Sequence, residues 1–142
     1  MDVKQKVERL AQLRRLQGEV DLLSQRMAQL ELAAKGGAGH VTGLPGRPPK
    51  GGAAKLQAMW QMLEARRERC LTLLGALYAF IDDIDDSLMR QIMIYRYIDG
   101  LTWEGVAASI GELDEQYPRR RHNRFLARTP LTPGSVFDEV QE

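Results

Sequence analysis

Proline is absent from residues 1–44 and again from 50–117 of this 142-residue chain. Both stretches are therefore free to form long helices. One cysteine, Cys70, excludes an internal disulfide and suits a reducing cytosol. Aromatic residues make up only 6% of the chain, and no alternating β-branched run argues for a strand. No apolar run approaches the ~20 residues of a membrane span. The start, Met1-Asp2-Val3-Lys4-Gln5-Lys6, is too polar for a secretory signal. A formal net charge of +1 rules against a protein that coats nucleic acid with its whole surface. The chain also lacks a phosphate-binding glycine loop and any Cys/His cluster at metal-ligand spacing. No catalytic residue, cofactor, metal or enzymatic activity is expected from it.

What is present predicts an all-α fold: a long antiparallel helical hairpin over 1–84, a helix-turn-helix unit over 85–128, and a tail over 129–142. From Asp2 to about Ala34, Val3, Val7, Leu10, Leu13, Leu16, Val20, Leu23, Met27 and Leu30 form a stripe. From Leu13 onward its steps alternate three and four, the coiled-coil rhythm. Leu10, Leu13 and Leu16 form a local stammer, and Gly18 is a soft spot. Leu56 to about Ile81 repeats the rhythm through Leu56, Met59, Leu63, Cys70, Leu73, Leu77, Phe80 and Ile84, with Arg66 at the one polar seam position. Arg66 either sets register or points outward, and Cys70 reads as a small buried hydrophobe. The two stripes pack on each other or on a second copy of the chain.

Seven glycines and three prolines between Lys35 and Ala54 predict a flexible loop. Within it, Pro45-Gly46-Arg47-Pro48-Pro49-Lys50 is a degenerate version of a minor-groove hook, the less favoured reading. After Arg128, Thr129-Pro130-Leu131-Thr132-Pro133-Gly134 reads as extended linker. Ser135 to Val140 reads as a short acidic amphipathic segment, with disorder as the default.

The chain is organised around Ser87 to Arg128. Leu88, Ile92, Tyr95 and Ile98 form one helical face, Asp85 or Asp86 can cap its start, and Gly100 can end it. Thr102 is a good N-cap for a second helix with Glu104 in its first turn. Val106, Ala107 and Ile110 share a face, and Gly111 stops that helix. Ala107, Gly111 and Tyr117 fit helix-turn-helix spacing. Proline opens a helix but breaks its interior, so the third helix is expected to begin at Pro118. Pro118, His122, Phe125 and Leu126 then face inward, His122 as a packing residue. Arg120, Asn123, Arg124 and Ala127 face outward. Asp82, Asp83, Asp85 and Asp86 are read as complements to a helix start rather than metal ligands.

Arg96, Tyr97, Ile98, Gly100, Thr102, Trp103, Glu104, Ala107, His122, Arg124 and Leu126 together resemble a family signature. They are similar to the small transcription regulators of phages and prophages of Gram-positive bacteria, the ArpU and RinA type late-gene activators. Those proteins themselves resemble region 4 of the primary sigma factors. Two positions depart from the pattern: Gly105 replaces a Glu, and Pro118 falls where the recognition helix should already be running. The resemblance implies transcription regulation in a bacterial host cytoplasm. From the residues come the candidate DNA contacts: Arg120, Asn123 and Arg124 toward base edges, and Arg119, Arg121 and Arg128 toward phosphates. Double-stranded DNA is the expected partner. RNA polymerase binding and homodimerisation through the long helices are further expectations, and a membrane is not a partner. The alternatives are a small terminase-like DNA-packaging subunit and a protein-only adaptor that grips host polymerase.

Overall fold

The computed structural model describes residues 1–36, 52–130 and 135–137. The protein is all-α. Its helices are α1 (Val3–Gly36), α2 (Gly52–Asp82), α3 (Ser87–Met93), α4 (Trp103–Ser109) and α5 (Gln116–Arg128), and a π-helical turn, Ile94–Ile98, extends α3. Both long helices outrun their expected ends and take in Lys35, Gly36 and Gly52 to Ala54. The hook-like Pro45–Lys50 segment lies outside the described residues.

The chain divides into two compact units, Met1–Leu16 with Leu73–Glu142, and Gln17–Thr72. In the second unit, α1 contributes buried Val20, Leu23 and Met27. From α2, Leu56, Trp60, Leu63 and Arg67 are half-buried and Cys70 is buried, in strict steps of four and three. The Cys70 thiol donates to Glu19 Oε2 at 3.3 Å, and Arg67 Nη1 reaches Ser24 Oγ at 3.5 Å, which sets the pair antiparallel. Cys70 behaves as the expected buried hydrophobe. Burial, and then the Glu19 carboxylate, push its thiol up to about 11. Leu56 and Leu63 also keep their expected places, and the two positions between these residues are displaced by one. Met59 is 50% exposed and Arg66 is exposed, while Trp60 and Arg67 turn inward. Leu56 to Cys70 can be spanned by either register, and the one adopted buries more apolar area, the indole instead of a thioether.

In the first unit, Asp2 and Gln5 close a capping box at the start of α1. Asp2 Oδ1 accepts from Gln5 N at 2.8 Å, and Gln5 Oε1 from Asp2 N at 2.9 Å. The core gathers Leu10 and Leu13, Leu77, Ile81 and Ile84, Met89, Ile92, Met93 and Tyr97, Val106, and Leu126. Burial of each such side chain contributes roughly 1.5–3 kcal/mol. Val136 and Phe137 belong to the same core, which corrects the expectation of a free tail. Phe137 meets Phe80 edge-on at 5.3 Å, and Arg9 Nε donates to the Val136 carbonyl at 3.2 Å. Two apolar residues in an acidic segment find an aromatic wall and a donor there.

Asp86 caps α3, its Oδ1 accepting from Leu88 N at 3.0 Å. Ile92 is buried as expected, together with Met89, Met93 and Tyr97, whereas Leu88, Tyr95 and Ile98 pack only half-buried against the core. Beyond Met93 the helix opens into the π turn, with Asp99 N bonded to Ile94 O at 2.9 Å. The extra residue per turn rotates Tyr97 inward and Ile98 toward the edge. Gly100, at φ +73°, ends the turn. That left-handed φ favours glycine, and the Arg14 guanidinium lies in the space its missing Cβ leaves.

Candidate nucleic-acid interface

Thr102 Oγ1 accepts from Gly105 N at 3.1 Å and starts α4. Gly111, at φ +81°, stops it in a Schellman arrangement: Glu112 N bonds to Ala107 O at 2.8 Å and Gly111 N to Ala108 O at 3.2 Å. Ala107 is buried where α4 and α5 pack. The next helix begins two residues before the proline expected to open it. Asp114 Oδ1 accepts from Gln116 N at 2.9 Å, and Pro118 occupies the third helical position. A proline is tolerated there because first-turn amides have no intrahelical acceptor.

Pro118, His122 and Leu126 turn inward. His122 is 1% exposed, yet both ring nitrogens have partners. Asn123 Oδ1, an acceptor, lies 2.9 Å from Nδ1, so Nδ1 carries the proton. Nε2 then accepts from the Tyr97 hydroxyl at 2.7 Å. Burial disfavours the imidazolium and lowers the His122 pKa to about 4, with Arg96 and Arg119 adding repulsion against the Asn123 bond. Burial likewise raises the Tyr97 phenol well above its ordinary value. Trp103 sets its ring edge-on to His122 at 4.8 Å, and the Arg96 guanidinium covers Trp103 at 4.6 Å. Arg96 Nη1 also donates to Leu101 O at 2.9 Å. Four signature residues, Arg96, Tyr97, Trp103 and His122, thus join the π turn, α4 and α5 into one piece.

The outward side of α5 carries Arg119, Arg120, Asn123, Arg124 and Arg128, all exposed. No acid lies between Pro118 and Arg128. Arg119, Arg124 and Arg128 have no ion pair among the described residues. Arg120 pairs with Asp114 at 3.1 Å, both side chains well exposed, a geometry worth little in water. Arg121 is placed differently from the other five candidate residues. It is half-buried, its Nη2 donating to Asp86 Oδ2 at 2.8 Å and its Nη1 reaching the Tyr117 hydroxyl at 3.4 Å.

Two residues not expected from sequence also shape this face. Lys6 of α1 is buried and donates from Nζ to Leu126 O at 2.7 Å and to Thr129 O at 2.8 Å, closing the C-terminal end of α5. Leu113, in the turn before α5, is fully exposed among Glu112, Asp114 and Glu115. Beside α5, a groove of about 330 Å³ is lined by Asp86, Met89, Arg121, Arg124, Phe125 and Arg128. Among the described residues no three His, Cys, Asp or Glu gather as a metal site, and no helix is long and apolar enough to cross a membrane. Compared with family models, curated proteins and solved structures, the chain finds no match in any of the three.

Proposed function

We propose that this chain is a DNA-binding transcription regulator of the phage and prophage type, acting through α4 and α5 as a helix-turn-helix. The observation that carries the reading is the outward face of α5. Five exposed Arg and Asn side chains stand together there on a helix with no acid from Pro118 to Arg128, only Arg120 meeting an acid from the preceding turn, in a chain whose formal net charge is only +1. That segregation of charge is the electrostatic footprint of a phosphate backbone. The fixed angle between α4 and α5, held by His122, Tyr97 and Trp103, presents that face as a unit. Arg120, Asn123 and Arg124 take the base-facing centre, and Arg119 and Arg128 the flanks. Fluorescence anisotropy of a labelled random-sequence duplex from 50 to 300 mM KCl tests it. Steeply salt-dependent binding, abolished when Arg119, Arg124 and Arg128 are all replaced by Gln, is expected. Salt-independent binding, or none at 50 mM, would sink the reading.

A second reading, the protein-only adaptor, draws on Leu113. A fully exposed leucine within an acidic turn suits a basic-rimmed apolar notch on another protein better than it suits DNA. Retention of purified bacterial RNA polymerase on immobilised chain, lost in Leu113→Ser, would favour it.

A further inference from the structure

The groove between the start of α3 and α5 has a chemical asymmetry that the DNA reading alone does not explain. Its floor is apolar, Met89 and Phe125. Arg121 and Arg128 stand along one wall and Arg124 at the rim, on successive turns of α5. The opposite wall presents Asp86, whose two carboxylate oxygens do separate jobs. Oδ1 accepts from Leu88 N at 3.0 Å and caps α3. Oδ2 takes Arg121 Nη2 at 2.8 Å. The Asp86 side chain is 51% exposed and that of Arg121 37%, so the pair stands at the groove's mouth and not in the core. An exposed pair of this kind contributes little to stability. It does place an anionic oxygen in front of an arginine, on a wall otherwise made of unpaired arginines.

We propose that this groove is a seat for a phosphodiester of the DNA backbone, and that the Asp86 carboxylate occupies it in the free protein as a stand-in for the phosphate. The proposal rests on the DNA reading. A phosphate oxygen arriving at Arg121 replaces Asp86 Oδ2 with the same charge-assisted bond, and Arg128 meets the same strand about two turns further along α5. Binding therefore breaks the Asp86–Arg121 pair, and the carboxylate loses the partner that compensated it, a cost that arises only where Arg121 is present; Arg121 itself regains its bond at the phosphate. The carboxylate holds Arg121 extended in the free protein and sets a threshold against loosely placed DNA. Its role at the α3 cap needs only an oxygen acceptor, which Asn and Ser supply as well as Asp. The charge and the cap are therefore separable by substitution.

The test is a double-mutant cycle on the random duplex, with salt titrations for wild type, Asp86→Asn, Arg121→Gln and the double variant. Asp86→Ser is a second cap-preserving variant should the Asn protein melt early. Asp86→Asn is expected to bind roughly tenfold more tightly at 0.1 M salt, with a log–log salt slope steeper by about 0.9, the contribution of one phosphate contact. In the Arg121→Gln background the same substitution is expected to gain little. An equal gain in both backgrounds would reduce the effect to general charge and overturn the proposal, as would no gain in either. Wild-type protein that binds no duplex at any salt would instead remove the DNA reading itself. Failure of the seat and failure of the reading are thus told apart.

Discussion

Lys6 Nζ donates to the Leu126 carbonyl at 2.7 Å, across 120 residues of sequence. The same ammonium takes the Thr129 carbonyl at 2.8 Å and lies 5.7 Å from the Phe137 ring centroid. The last carbonyls of α5 lack the full i+4 ladder, Leu126 O taking only Thr129 N at 3.3 Å, and a cation there also complements the negative end of the helix. The N-terminal helix therefore finishes the helix proposed to read DNA. Lys6→Met keeps the length of the stem but takes the charged donor from both carbonyls, leaving Leu126 O only the longer bond from Thr129 N at 3.3 Å. Each such loss costs about 1–3 kcal/mol, so urea melts should show a destabilisation of about 2–5 kcal/mol. Amide exchange should speed selectively over Arg124 to Thr129. Unchanged exchange there would deny Lys6 its capping role.

This bond marks the limit of what the sequence discloses. The capped, glycine-stopped α4, Asp86 as a cap and the inward set Pro118, His122 and Leu126 were legible, because capping chemistry and helical spacing are local. So was the all-α class. Lys6 reads as one more surface lysine on a helix rich in them, since its partners are backbone carbonyls with no sequence signal. The α2 seam slipped by one because Met59 and Trp60, like Arg66 and Arg67, are neighbours that each satisfy a three-four rhythm. Only the area buried chooses between them. Beyond Met93 the reason is different: a π turn inserts a residue that a fixed 3.6 period does not anticipate, and Tyr97 rather than Ile98 turns inward. Arg121 reads as a phosphate arm on the helical wheel, and its pairing with Asp86 in the free chain has no sequence signal.

His122 makes stability depend on acid. Its pKa is about 4 in the folded chain, against an ordinary value of 6.5. Between those values the unfolded chain binds a proton that the folded chain refuses, so stability rises with pH across that window. Acidification from pH 6.5 toward 4 should cost up to about 3 kcal/mol, at 1.36 kcal/mol per unit, and the His122 contribution should level off below that. Urea midpoints at pH 7 and pH 4.5 should separate more for wild type than for His122→Gln. Parallel shifts in the two proteins would show that carboxylates alone carry the acid response.

Trp103 is expected to act through structure. Its ring stands between Arg96 and His122, so truncation exposes the buried Tyr97–His122 bond as well as losing the ring's own packing. Trp103→Ala should cost about 3 kcal/mol, the lower end of the range for large aromatics because the side chain is only half-buried. Thermal melting decides the matter. A wild-type melt combined with lost duplex binding would make Trp103 a DNA contact instead.

Two glycines offer the reverse effect. Gly18 in α1 and Gly75 in α2 are exposed, helical, and have open space where a Cβ would stand. Alanine at either position should raise stability by about 0.5–1 kcal/mol by narrowing the unfolded ensemble. Because they lie in different compact units, the gains should add in the double variant. A double variant no more stable than the better single one would contradict that independence.

The division of labour along α5 gives the most direct reading of function. Arg124 stands near the outermost line of the helix, and Arg128, one turn on, nearer the edge that faces α3. A major groove admits one face of a helix, so the proposed function puts the crest at base edges and the edge at backbone. Arg120 shares the crest but is held by Asp114 and must leave it first, which an exposed pair permits at little cost. On a duplex selected from a random library, Arg124→Ala should cost about 1–3 kcal/mol, with little effect on unselected DNA. Arg128→Ala should weaken both about equally and lower the salt slope by about one unit, because it removes one phosphate contact. Binding isotherms on the two duplexes at several salt concentrations check both statements. Equal losses on both duplexes for both variants would leave α5 a nonspecific clamp, whereas no loss for either would pass the function to the exposed Leu113 turn.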